Sequence, residues 1–190
     1  MTAKTHMISS VALGLGILEL LQHNNIESLV FNSYDELITF LTLYIGAIIF
    51  GSVFPDIDEP HSYIGRKFPL FSNILSMFIE HRGITHTLLV IFLYSAIAYS
   101  VILIDGIENS FFIVIAIGFI VGNIGHILGD MMTKSGVALL YPITSKNFGL
   151  LPKRLRFYTG GFIEIVFMRI VFGLIVVAEV LYQLQMYGVI

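Results

Sequence analysis

Segment 122–130 (GNIGHILGD) ends a long apolar run and carries His126 and Asp130 four residues apart. On one helix this spacing puts the imidazole and the carboxylate on the same face, where they could offer a nitrogen and an oxygen to one metal ion. Gly118 and Gly122 lie on a shared ridge, which predicts the close approach of another helix. A buried His–Asp hydrogen bond between helices is the structural alternative, and this stretch alone does not choose between the two.

The motif FPDIDEP places Asp56 and Asp58 between Pro55 and Pro60, which prevent a helix from continuing. Extended backbone would point the two carboxylates in opposite directions, so that one could bind metal while the other orients a neighbour. A carboxylate here could also bridge two metals or accept a proton from metal-bound water. The alternative is turn chemistry, because Asp beside Pro is common in turns.

The motif EHRGITHT carries His81 and His86 five residues apart, too far around one helix to share a face. We expect Gly83 to break the chain and Thr85 to cap the next helix, so that the two histidines converge from different elements. Arg82 lies between them and is suited to bind phosphate through its planar, permanently charged guanidinium. The alternative is an arginine at the membrane interface with capping residues nearby.

The composition identifies the class of protein that must position these residues. Of 190 residues, 56% are hydrophobic and only 12% are charged, and the mean hydropathy is +0.88. A soluble domain carries about 25% charged residues, so the sequence predicts an integral membrane protein. The chain has no cysteine, so any metal must use nitrogen and oxygen ligands. We find no repeat or linker and expect a single domain over residues 1–190.

Five segments are apolar enough to cross a bilayer, for which about 20 residues are needed. They are residues 7–22, 37–54, 86–104, 111–132 and 162–187. We interpret the first as retained rather than as a signal peptide, because no cleavage site follows it. Segment 71–80 is shorter and is better interpreted as an interfacial helix. The predicted fold is therefore all-α, a polytopic membrane helical bundle with about five transmembrane helices and one interfacial helix.

The basic residues predict the orientation of these helices. Segments 23–36 and 105–110 contain no Lys or Arg, and all ten basic residues fall on the opposite side, which the positive-inside rule makes cytoplasmic. Five of the six histidines share that side, and every span brings a histidine or a carboxylate to the same level. This convergence favours a metal site at the cytoplasmic face over scattered core histidines.

The motifs in combination resemble a known family, the YdjM-like inner-membrane proteins. The resemblance rests on MTAKTH, PDIDEPHS, HRGITHT, GHILGDMMTKSGVALLYP and a late glutamate, from His6 to about Glu164. The family is described as LexA-regulated, membrane-bound, metal-dependent hydrolases. This chain departs from its pattern at Thr87, where a Ser is usual, and at Glu59 and His61 around the PDxD motif.

The family pattern is in turn similar to that of the zinc-dependent phospholipase C and nuclease superfamily, whose all-helical members hold zinc with His and Asp. Its HxxxD motif is matched here by His126 and Asp130. Its other positions are matched by Asp56 or less closely Asp58, by His86 or His81, and by His6. Its HxxxE pair is matched only by Glu164 without the histidine, so the resemblance implies one or two ions rather than three.

We therefore expect a membrane-bound, zinc-type hydrolase that acts on a phosphoester of a lipid or lipid-linked substrate at the cytoplasmic face. The expected metal ligands are His6, Asp56, His81, His86, His126, Asp130 and Glu164. Zinc lowers the pKa of bound water to about 7, Asp56 or Asp58 would accept the proton, and Arg82 would stabilise charge on phosphate oxygens. The expected partners are membrane lipids and not nucleic acid, and the oligomeric state stays open.

Two other functions remain as alternatives. A metal transporter would need ionisable residues at mid-depth in the membrane, and the interiors of segments 37–54, 86–104 and 111–122 lack them. A metal-responsive or purely structural membrane protein would use the same His–Asp cluster without turnover. Metal flux without hydrolysis, or full biological activity in strong chelator, would favour these alternatives.

Overall fold

The computed structural model describes residues 1–24, 31, 33–79, 82–105 and 110–188. Its α-helices are α1 (Ala3–His23), α2 (Tyr34–Gly51), α3 (Pro69–Ser76), α4 (Leu88–Asp105), α5 (Ser110–Met131) and α6 (Arg169–Met186). Within the described residues, β structure is limited to two isolated bridges, Thr133 with Phe157 and Val137 with Phe148. The all-α prediction is confirmed.

Four helical stretches are long and apolar enough to cross a membrane. They are Ala3–His23, Tyr34–Asp58, Phe111–Met131 and Ile163–Met186, with mean hydropathies from 1.3 to 2.3. The span predicted at residues 86–104 corresponds to a shorter apolar helix, Leu88–Ile104. It starts at Leu88 because His86 ends a short 3₁₀ turn, Ile84–His86, and Thr87 is extended. The predicted helical membrane bundle is thus confirmed: the described residues contain four helices long enough to cross a membrane and one shorter apolar helix in the place of the third predicted span.

Helices α2 and α5 pack so closely that their glycines are required. A Cβ at Gly122 would overlap the backbone carbonyl of Ile48, and one at Gly51 would overlap that of Phe119. At Gly118 a Cβ would lie 2.7 Å from the carbonyl oxygen of Tyr44. Close backbone approach through small residues is typical of helices in membranes. The close approach predicted for this glycine ridge is therefore present, and it brings the end of α2 against the end of α5.

Helix α1 packs against α2, α5 and α6. The main core joins its apolar side chains to those of α2 and α5, with Val11, Leu15, Leu18, Leu37, Leu41, Tyr44, Ile48 and Val121 as its buried members. Near its beginning, α1 packs on the glycines of α5: a Cβ at Gly129 would lie 3.1 Å from Nδ1 of His6. This contact fixes His6 beside the end of α5.

The chain between α2 and α4 forms a 3₁₀ turn, Phe54–Asp58, and then α3. The predicted interfacial helix at 71–80 is found as α3, which begins at Pro69 and ends at Ser76. Its buried side chain is Ser72, whereas apolar side chains on and just after it are exposed, namely Leu70, Phe71, Ile74, Met77 and Phe78. An outer surface of this kind suits a helix at the membrane interface.

Candidate metal centre

Two histidines and an aspartate meet where α2, α4 and α5 converge. Nε2 of His126 lies 3.1 Å from Nε2 of His86, and each nitrogen lies 3.4 Å from Oδ1 of Asp56. Both imidazoles are fully buried, whereas 21% of the Asp56 side chain is exposed. Three residues that are distant in sequence thus place three donor atoms around one point, with solvent access at Asp56.

The hydrogen bond of Nδ1 shows which ring nitrogen of His126 carries the proton. Nδ1 lies 2.6 Å from the backbone carbonyl oxygen of Ser52. A carbonyl can only accept a hydrogen bond, so Nδ1 must carry the proton and donate it. In neutral His126, Nε2 therefore presents a bare lone pair toward His86 and Asp56.

The hydroxyl of Thr85 shows which nitrogen of His86 carries the proton. The Thr85 hydroxyl donates to Oδ2 of Asp58 at 2.6 Å and lies 2.9 Å from Nδ1 of His86. Because its own proton goes to the carboxylate, the hydroxyl accepts from Nδ1 of His86. Burial also lowers the pKa of His86, which favours the neutral form that binds metal. Nε2 of His86 thus also presents a lone pair.

When both rings are neutral, three acceptor atoms therefore face one another with no proton between the two nitrogens. Such an arrangement is repulsive unless a cation lies among them. Around a tetrahedral zinc ion, bonds of about 2.0–2.1 Å place neighbouring ligand atoms about 3.3 Å apart. The observed separations of 3.1 to 3.4 Å match that geometry. The donor set thus fits a divalent metal of the zinc type.

His6 and Asp130 adjoin this group and form a second possible one with His126. Nε2 of His6 lies 3.3 Å from Oδ1 of Asp130, and the His6 ring stacks on the His126 ring at 3.7 Å. Neither ring nitrogen of His6 has a hydrogen-bond partner among the described residues, although His6 is buried. Because the lone pair of His126 can bind one ion at a time, the two groups compete for it.

Arg82 closes the exposed edge of the cluster. Its Nη2 lies 2.9 Å from Oδ2 of Asp130, and 26% of its side chain is exposed. Its Nη1 donates to the hydroxyl of Ser135, while the amino group of Met1 contacts Oδ1 of Asp130. The backbone of Arg82 has a φ of 63°, a left-handed conformation that costs a non-glycine residue about 1–3 kcal/mol and is concentrated at functional sites.

Two predicted ligands are not among the clustered residues. His81 lies outside the described residues, so the structure says nothing of its position. Glu164 is fully buried but accepts hydrogen bonds at 2.6 Å from the backbone and hydroxyl of Thr2 and at 2.9 Å from the backbone of Gly160. It lies on a π-helix, Ile163–Met168, and faces the beginning of α1. Glu164, which we expected to be a metal ligand, therefore does not join the cluster. Its carboxylate instead binds Thr2 at the start of the chain.

Asp58 and Thr85 have roles that differ from the predicted ones. Asp58 is buried behind Thr85, so Asp56 is the carboxylate at the exposed edge. Thr85 contacts His86 and does not cap α4. The residue that caps the first turn of α4 is Thr87, whose hydroxyl accepts a hydrogen bond from the backbone N–H of Val90 at 3.4 Å. The contact of Thr85 with His86 could have been predicted, because a hydroxyl residue stands directly before a candidate histidine ligand. No sequence feature indicated that the backbone carbonyl of Ser52 would bind His126.

Comparison with known proteins agrees with these motifs. The family model described as YdjM inner membrane protein matches residues 1–187. The inner membrane protein YdjM of Escherichia coli K12 is 35% identical over 99 residues, which cover 52% of this chain and 48% of that protein. The uncharacterized protein YvsG of Bacillus subtilis is 29% identical over 166 residues, 86% of this chain and 85% of that protein. No solved structure matches.

The chain thus spans about half the length of its Escherichia coli relative, and the family model matches nearly all of this chain. The family and the Escherichia coli relative are both described as inner membrane proteins, and with the four apolar helices this identifies a multi-pass protein of the inner membrane. The chain belongs to the YdjM inner membrane protein family.

Proposed function

We propose that this protein is a metal-dependent hydrolase that cleaves a phosphoester at the cytoplasmic face of the membrane. The observation that carries the proposal is the convergence of donor atoms of His86, His126 and Asp56, 3.1 to 3.4 Å apart, with both Nδ1 atoms engaged elsewhere. An arginine lies at the only exposed edge we find among the described cluster residues. A structural His–Asp staple would instead place a proton between each pair of donors.

His86, His126 and Asp56 would hold the metal, while His6 and Asp130 form the competing donor group with His126. A zinc ion held there would supply Lewis acidity and activation of water at neutral pH. Asp58, through Thr85, keeps the metal-facing nitrogen of His86 unprotonated. The burial of both imidazoles excludes bulk water from the inner side of the cluster, so that solvent and substrate approach from the side of Asp56 and Arg82.

Arg82 supports the choice of a phosphoester. Its guanidinium is always charged and can form two parallel hydrogen bonds to phosphate oxygens. Its Nε is buried without a partner among the described residues. Asp56, on the same exposed edge, would accept a proton from water while Arg82 stabilises charge on the phosphate.

A lipid or lipid-linked phosphoester is the substrate that best suits the location of the cluster. His6 lies near the start of one apolar helix, and Asp130 and Asp56 lie near the ends of two others. The cluster is thus at the edge of the apolar layer, at the depth of lipid headgroups. All ten basic residues are on the side of the cluster in the predicted topology, which favours the cytoplasmic leaflet.

Metal content tests the proposal first. The protein purified in detergent should contain zinc, and His126→Ala should lose it because His126 belongs to both possible donor groups. His61→Ala is the matched control, since His61 is exposed and lies outside both groups. Equal zinc in wild type and His126→Ala would overturn the site.

Turnover is the second test. The zinc-loaded wild type should release phosphate or alcohol from a panel of phosphoesters that includes phosphatidic acid and p-nitrophenyl phosphate. Arg82→Ala should retain zinc and lose most turnover, because Arg82 contacts Asp130 but does not belong to the donor groups. Zinc binding without hydrolysis of any panel member would contradict the hydrolase assignment while leaving the metal site intact.

A further inference from the structure

An apolar groove with a volume of about 290 Å³ lies between α2, α4 and α5. Its walls include Phe50 of α2, Tyr94 and Ala98 of α4, and Ala116 and Phe119 of α5. The surface that it presents is almost wholly apolar, so an occupant would be held by apolar contact rather than by hydrogen bonds. None of the lining residues belongs to the two candidate donor groups.

The groove leads toward the metal centre through a group of aromatic rings. The ring of Phe54 lies 5.2 Å from that of Phe119 and 6.3 Å from that of Tyr94, and 5.5 Å from that of Phe50. Phe54 also begins the 3₁₀ turn that carries Asp56, the donor at the exposed edge of the cluster. Phe54 therefore packs on the wall of the groove and lies two residues before Asp56, so this end of the groove is close to the cluster.

The depth of the groove matches the dimensions of a lipid. Phe119 precedes His126 by seven residues on α5, which is two helical turns or about 10 Å. The polar layer of a bilayer is roughly 5–8 Å thick on each side, and hydrocarbon begins beneath it. A molecule with its phosphate at the cluster would thus place its hydrocarbon at the level of the groove.

We propose that this groove binds one acyl chain of a phospholipid substrate whose phosphate lies at the metal centre. This inference rests on the proposed phosphoester hydrolysis and names the substrate class. The volume of about 290 Å³ lies just below the roughly 300–1,000 Å³ of ligand pockets, which suits a single chain rather than a whole lipid. The groove and Arg82 thus recognise the two ends of the same molecule.

Binding is tested without turnover, in detergent micelles. Phosphatidic acid with a diazirine near the end of one acyl chain should cross-link to groove-lining segments of α4 and α5. Unlabelled phosphatidic acid should reduce this cross-linking several-fold more than diacylglycerol, which has the same chains and lacks the phosphate. Equal competition by the two lipids would mean that the groove holds only surrounding lipid, and would overturn the proposal.

Filling the groove tests its link to the substrate. Ala98→Trp should abolish the cross-link and reduce turnover of phosphatidic acid several-fold, while turnover of the small soluble ester p-nitrophenyl phosphate is unchanged. Ala96→Trp is the matched control, because Ala96 is exposed on the same helix and does not line the groove; it should change neither. Ala116→Leu, from the opposite wall, repeats the test if Ala98→Trp reduces the folded yield.

The outcomes separate this inference from the proposed function. A loss of turnover on both esters, or on neither, in Ala98→Trp would show that the groove does not select the acyl chain. If the zinc-loaded wild type hydrolyses neither ester, the hydrolase assignment fails. The competition between phosphatidic acid and diacylglycerol then still decides whether the groove and the cluster bind one lipid.

Discussion

Nε2 of His86 lies 3.1 Å from Nε2 of His126, and the proton of each ring is on the other nitrogen, Nδ1. Two neutral imidazoles that face each other through lone pairs have no hydrogen bond to share. Asp56 adds a carboxylate oxygen to the same point. With both rings neutral, these atoms need a cation between them, and a divalent metal ion would supply it.

Thr85 should control metal affinity without being a ligand. Thr85→Val removes the hydroxyl that accepts from Nδ1 of His86 and frees the ring to change tautomer or rotate. Partners of this kind alter metal affinity by about 10–100-fold. We expect Thr85→Val to weaken zinc binding by that order, and Thr85→Ser to restore it, in a competition titration with a chelating dye. Asp58→Asn should resemble Thr85→Val; unchanged affinity in both would refute the orienting role.

The left-handed backbone at Arg82 should lower the free energy of unfolding for any residue there except glycine. Arg82→Gly and Arg82→Ala lose the same contact with Asp130, but only glycine adopts a φ of 63° without strain. We expect the glycine variant to be more stable than the alanine variant by about 1 kcal/mol. The measurement is equilibrium unfolding in detergent. Equal stabilities would mean that this conformation carries no strain.

Gly122 should be required for both the fold and the site. In Gly122→Ala, the new Cβ would overlap the Ile48 carbonyl and separate α2 from α5, at a cost of about 1–3 kcal/mol for overpacking. The separation also moves the Ser52 carbonyl away from His126, so zinc content should fall with thermal stability. Gly173→Ala is the control, because a Cβ there meets nothing within 4 Å. Equal behaviour of the two variants would contradict the packing argument.

Glu164 should affect stability rather than metal binding. Glu164→Ala removes the acceptor of the partly buried hydrogen bonds from Thr2 and Gly160, and a hydrogen bond to a charged group contributes about 1.5–3 kcal/mol. We expect a lower melting temperature with the zinc-to-protein ratio of the folded protein unchanged. A lower ratio in the folded fraction would return Glu164 to the set of ligands.

Much of the candidate site was predictable because side-chain type and helical spacing determine which residues can share a face and bind a metal. His126 and Asp130 share a face of α5 as their spacing of four residues requires, and the positions of His6, Asp56 and His86 at helix ends implied a common level. The start of the third predicted span could not be placed from the sequence, since a 3₁₀ turn at Ile84–His86 delays the helix that follows. Such a turn depends on contacts with other segments more than on local propensity.

The sequence by itself determined the all-helical membrane bundle, because apolar length and glycine spacing act locally along each helix. It also determined which residue types could hold a metal. Only the tertiary structure decided which of them come together and which way they face. The orientation of His126 depends on the Ser52 carbonyl, and that of Glu164 depends on Thr2, contacts between residues 74 and 162 positions apart. Thr85 precedes His86 directly, but its hydroxyl is oriented by Asp58, 27 positions away, so the sequence around each residue does not record these directions.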